Sequence, residues 1–277
     1  MFLSNTHRKQ FVLYYFICFT IYYAWYFYHG LLLHQLRPVF FHNRLDLTVN
    51  VLMLTNLHNA VINSPFLQML FDCLYFLLPL LLCMAISARH RLQYFLAILT
   101  AVFNLVYAIL VSSTSPLSME GFTGWIMLPL LFAFKSEQSL YYILHTLRYF
   151  FLLIFSSAAL WKIRAGGIFN LEQMGAILIK QHAACLVGQP NDWFAGLIRY
   201  LVDHQKLSYG IYLLGTLSEL VFIIGFFTKK YDKVLIIIFL VFIVLDYFLM
   251  RINYFAWSAF LGCLWYSRFA LKSAAKG

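Results

Sequence analysis

Eight apolar runs, most of them about as long as a bilayer is thick, constrain this chain more than any other feature. They cover residues 11–28, 66–86, 92–111, 122–134, 140–161, 207–227, 234–250 and 252–266. A helix needs roughly 20 apolar residues to cross the hydrocarbon core, and lipid forces each spanning segment to satisfy its own backbone amides. The expected fold class is therefore all-α. It is a polytopic membrane helical bundle of about eight spans, forming a single integral membrane domain over 1–277. The runs 122–134 and 252–266 are short, which suits tilted, partly buried or re-entrant segments. Only 11% of the residues are charged, against roughly a quarter in a soluble domain.

His7, Arg8 and Lys9 precede the first run much as a basic segment opens a signal peptide. That run is long and bulky, and no small-x-small cleavage site follows it, so it reads as an uncleaved span. With eight spans both termini share one side. That side would carry Arg8, Lys9, Arg89, Arg91, Lys135, Lys229, Lys230, Lys233, Arg268, Lys272 and Lys276, all in short segments. Arg37, Arg44, Arg251, Lys162, Arg164, Lys180, Arg199 and Lys206 fall on the other side, most of them in long segments. The denser basic side is the cytoplasmic one, so both termini are expected in the cytoplasm of a bacterial inner membrane. The formal charge of +10 is explained by these span ends, and no nucleic-acid motif accompanies it. The five cysteines, Cys18, Cys73, Cys83, Cys185 and Cys263, form no C-x-x-C pair. They read as packing residues rather than as redox or zinc ligands.

Two long segments lie on the outer side. The first contains His34, His42 and His58, with His29 just before it. Their spacing matches no histidine box, so solvated loop histidines are expected and no metal site. The second, 164–206, holds two amphipathic stretches. In one, Trp193, Phe194, Leu197, Ile198, Leu201 and Val202 recur at helical spacing opposite Arg199, Asp203 and His204. That pattern fits a helix at the membrane surface, a cap on the bundle, or a lid over a site.

Ionisable residues inside spans are expensive and usually face protein. Arg148 and Glu219 each lie eight residues from the inner end of a span, at a depth of roughly 12 Å. Equal depth predicts a buried ion pair that locks two helices, or a polar cavity that holds a substrate head group. Asp72, Asp246 and Lys162 collect instead toward the outer ends of three spans. A lysine bordered by carboxylates in a partly desolvated place can serve as base or acid. The alternative is that Lys162 snorkels to the head groups while Asp246 pairs with Arg251. Gly166-Gly167 reads as a helix terminator. The chain has no phosphate loop, nucleophile elbow or zinc helix, and no paired D-x-x-x-D for magnesium diphosphate.

The run from Arg148 through Trp161-Lys162 to Gly166-Gly167 resembles the arginine–span–lysine–glycine segment of the HTTM family. That family is the horizontally transferred transmembrane domain related to vitamin K-dependent gamma-carboxylase. Leu217-Ser-Glu219 continuing to Lys229 is similar to its glutamate-bearing span, and Asn253-Tyr-Phe-Ala-Trp257 to the aromatic start of a late span. The likeness covers 140–266, and the same stretch is similar to the four-helix DoxX bundle. The resemblance implies that Lys162 is a base toward a quinol. It departs from the carboxylase at 118–125, which carries no histidine, and in lacking that enzyme's large lumenal domain. Two functions follow. One is an accessory protein that helps mature, export or shelter a partner polypeptide, as some shorter HTTM-domain proteins do. The other is an intramembrane enzyme or redox subunit using a quinone-like isoprenoid lipid, with Lys162, Asp72 and Asp246 at its site. A transporter ranks third, since no repeated half or broken-helix pair is visible. The bilayer is the expected partner of either.

Overall fold

The structure is a computed structural model and describes residues 5–36, 47–114 and 119–269. Arg37, His42, Arg44, Lys272 and Lys276 lie outside the described residues. The α-helices in chain order are α1 (Asn5–Tyr28), α2 (Leu47–Leu54), α3 (Leu57–Ile62), α4 (Pro65–Ser87), α5 (Gln93–Thr114), α6 (Thr123–Met127) and α7 (Glu137–Arg164). They continue with α8 (Gln173–Gly188), α9 (Trp193–Asp203), α10 (Gln205–Leu220), α11 (Ile224–Phe227), α12 (Asp232–Met250) and α13 (Leu261–Tyr266).

Six of the helical stretches among the described residues are long and apolar enough to cross a membrane: Asn5–Tyr28, Pro65–Ser87, Gln93–Ser113, Glu137–Arg164, Gln205–Phe227 and Asp232–Met250. That set is compatible with an integral membrane protein. On α12, Val234, Ile237, Val241, Val244, Leu245 and Phe248 are exposed. An apolar face of that length left without protein cover suits contact with lipid.

The other two of the eight apolar runs do not form helices of that length. Residues 123–132 and 255–266 are shorter apolar helices, and each joins a 3₁₀ segment to a short α-helix. Pro129 enters the first 3₁₀ turn, where its missing N–H leaves no donor unsatisfied. Both pieces are buried in protein through Trp125, Leu128, Phe132, Ala256, Phe260 and Leu264. At Gly124 they touch, because a Cβ there would lie 2.3 Å from the Ala256 carbonyl oxygen.

The chain contacts divide into two compact units, Met1–Arg148 with Tyr254–Gly277, and Tyr149–Asn253. The first unit has an aromatic core. Trp125 meets Tyr15, Phe19 and Tyr22 with ring centroids 5.1–5.8 Å apart, and Tyr75 stacks face to face on Tyr107 at 3.9 Å. A buried tyrosine usually finds a partner for its hydroxyl, though that of Tyr75 meets none among the described residues. Tyr14 donates to the Ser258 carbonyl at 2.6 Å, and Tyr107 donates to Asp72.

In the second unit α8, α9 and the start of α10 form a cap. Its core is Met174, Leu178, Phe194, Ile198, Leu201 and Tyr212. Of the readings given for α9, a surface helix, a cap or a lid, its packing suits the cap. Phe194, Ile198 and Leu201 are buried against α8 and α10, with Leu197 partly so, while Trp193 stays 64% exposed. An amphipathic pattern gives the apolar face but not what covers it, and here protein covers it.

Candidate functional site

Lys162 comes from the last turn of α7, Glu219 from the end of α10 and Asp246 from the last turn of α12. The second unit brings the three together. The Lys162 ammonium donates to both oxygens of Glu219, at 2.7 and 2.8 Å. The lysine side chain is one-third exposed, whereas the glutamate side chain is 6% exposed, so the pair is approached from the lysine side. Asp246 lies within electrostatic range of both partners. Its Oδ2 is buried, and among the described residues no donor meets it.

The sequence positions this cluster by helical repeats. Phe155 stands seven residues before Lys162, Phe239 seven before Asp246, and Phe222 three after Glu219. Each shares a helix face with its polar partner, one or two turns away. The three rings and Phe151 pack on one another with centroids 4.9–5.7 Å apart, a dry aromatic floor beneath the charges. Gly225 lets α11 sit tight on this floor, since a Cβ there would come 2.6 Å from Leu152 Cδ2.

On the other side lies the cap. Tyr212 is seven residues before Glu219, again on its face, and its ring lies 5.9 Å from Lys162 Nζ. Gly167 makes room for it, because a Cβ at that position would meet the Tyr212 hydroxyl at 2.5 Å. The αL conformation of Gly166 (φ 76°) follows the end of α7, as a glycine terminator should. α8 grips the end of α12. His182 Nε2 sits 2.7 Å from the Leu249 carbonyl and Gln181 donates to the Met250 carbonyl at 3.2 Å. These side chains satisfy carbonyls that a helix C-terminus leaves orphaned, and they fix Asp246 one turn away. Between cap and floor the local dielectric is low, so each charge acts strongly on the others.

Glu219 is thus paired with Lys162, where depth arithmetic gave it Arg148. The arithmetic counted depth from the inner ends, Leu140 and Phe227, and equal depth does not fix which helix faces meet. Arg148 is completely buried in the first unit. Asp246 does not reach for Arg251, whose guanidinium lies 4.3 Å over the Phe194 ring.

Asp72 is employed within the first unit. Its Oδ1 accepts the Leu33 N–H at 3.0 Å and the Tyr107 hydroxyl. Its Oδ2 accepts the His34 N–H at 2.9 Å and faces His34 Nδ1 at 2.6 Å. Every strong acceptor site is taken, so Asp72 ties the turn after α1 to α4 and α5. His34 and His58 are also not the solvated loop histidines expected, for His34 is held by Asp72 and His58 is buried. Tyr212 and His182 are the residues that sequence reasoning missed, and His34 was named there but read as solvated. Only Tyr212 left a signal, its seven-residue spacing from Glu219.

No family model, curated protein or solved structure matches the chain.

Proposed function

We propose that this chain is a multi-pass membrane protein of the HTTM-like type, an accessory factor that helps mature, export or shelter a partner polypeptide. Both termini are placed in the cytoplasm of a bacterial inner membrane, on the density of lysine and arginine at the span ends. The segments around Arg148–Gly167 and Leu217–Lys229 support the family type, with a DoxX-like bundle as the alternative. One observation favours the accessory reading over catalysis by Lys162. Its ammonium spends hydrogens on both Glu219 oxygens, and a general base needs an open lone pair.

A second reading, an intramembrane enzyme or redox subunit for a quinone-like lipid, is favoured by the idle Oδ2 of Asp246 beside that pair. A quinol hydroxyl has an acceptor there, and Lys162 would have to leave Glu219 before acting as base. Native mass spectrometry of protein released from nanodiscs, wild type beside Lys162→Ala, separates the two. A retained polypeptide partner in both proteins, with no small-molecule adduct, supports the accessory role. A quinone-sized adduct present in the wild type and lost in the variant overturns it.

A further inference from the structure

At the start of α1 the first unit buries a cation that none of the described residues neutralises. Arg8 is 8% exposed. One hydrogen of its guanidinium goes to the Phe132 carbonyl at 2.9 Å. The guanidinium carbon lies 5.6 Å from the Tyr94 ring and 5.9 Å from the Phe132 ring. A carbonyl and two ring faces offer partial negative charge only. Among the described residues no carboxylate stands within ion-pair distance of Arg8, and its buried Nε has no acceptor. An arginine has five hydrogens to place, and a buried charge without a counter-ion is strongly unfavourable.

The surroundings say what would complete it. Arg8 lines a narrow cleft with about 10 Å³ of enclosed space, room for about one water, together with His7, Phe11, Leu144 and Tyr266. Those walls are largely apolar and the cation stands among them, a shape suited to an amphiphile with an anionic head. More positive charge gathers at this end. Lys9 donates to the Ser87 carbonyl, which brings the turn carrying Arg89 and Arg91 beside the start of α1. The positive pole of the α1 dipole points the same way.

We infer that the mouth of this cleft binds the phosphate group of an anionic phospholipid, the exposed edge of the Arg8 guanidinium donating to its oxygens. Arginine matches phosphate in geometry as well as charge, and basic pockets between membrane helices take such head groups. The apolar walls favour a lipid over free phosphate. The site is independent of the Lys162 cluster and of the function proposed for the chain.

The test is lipid retention by native mass spectrometry from nanodiscs of mixed phosphatidylglycerol and phosphatidylcholine, for wild type, Arg8→Gln and Arg8→Lys. Lys9→Gln serves as the control for a surface cation. Wild type should retain phosphatidylglycerol over phosphatidylcholine, and Arg8→Gln should lower that preference at least tenfold. Arg8→Lys should fall between them and Lys9→Gln should stay near wild type. Inorganic phosphate is then added to detergent-solubilised wild type. Failure to displace the retained lipid supports the lipid as the source, and Arg8-dependent displacement assigns the same site to free phosphate. Equal retention of the two lipids by wild type overturns the proposal whether or not the variants fold. So does an unchanged preference in Arg8→Gln.

Discussion

Asp72 in the first unit and Glu219 in the second are both buried carboxylates, 2% and 5% exposed, yet they are employed differently. Asp72 is surrounded by neutral donors and a histidine, all directed at its two oxygens. Glu219 holds the Lys162 ammonium on both its oxygens, while a second carboxylate within electrostatic range, Asp246, keeps an idle oxygen. A saturated carboxylate fixes a turn and has no capacity left for chemistry. A cluster with one cation for two anions retains an unmet demand, and such demand marks the place where a ligand, proton or partner can act. Burial alone does not separate structure from function here; the count of donors does.

The comparison can be broken by substitution. Asp72→Ala should have the largest effect, since it strands the Leu33 and His34 amides and the Tyr107 hydroxyl together. A loss of about 3–5 kcal/mol is expected, read from thermal unfolding in detergent. A loss below about 1 kcal/mol would mean that water replaces the carboxylate and that the anchor is dispensable. Next comes Lys162→Met, which leaves Glu219 buried beside Asp246 without its cation. It should cost about 2–4 kcal/mol by the same measurement.

Two smaller effects sharpen the contrast between the units. Gly124→Ala drives a methyl against the backbone carbonyl of Ala256 and should cost about 1–3 kcal/mol. Gly225→Ala meets the flexible side-chain ends of Leu152 and Leu235 and should cost less, so reversal of that order would contradict the packing described for one of the units. Asp246→Asn should be smallest. It removes the surplus anion and should leave the melting temperature unchanged or raise it, by no more than about 1 kcal/mol in stability. A clear drop would show that Asp246 is a needed partner of Lys162.

Much of this was legible in the chain. The six long helices follow from apolar runs of bilayer length, and α9 from its periodicity. Lys162, Glu219 and Asp246 stood out because charge inside a span requires a partner. What the sequence withheld was which partner. Glu219 was matched to Arg148 because both lie eight residues from the inner end of a span, and equal depth does not say which side chains share a helix face. Asp72 was grouped with Lys162 because its true partners, Leu33 and His34, come from a turn with no pattern of its own. The runs 122–134 and 252–266 read as short, tilted or partly buried segments and form short helices buried in protein, though an apolar stretch alone does not reveal whether lipid or protein covers it.

The central claim is that Lys162 is the counter-ion of Glu219 rather than an independent base. The most direct test is a double-mutant cycle on Lys162→Met and Glu219→Leu, followed by thermal unfolding in one detergent. Each single variant should be destabilised. The double variant, with an apolar pair in place of the ion pair, should regain most of the loss, giving a coupling of about 2 kcal/mol or more. Losses that add to within about 0.5 kcal/mol would show that the two side chains do not depend on each other, and would contradict the claim.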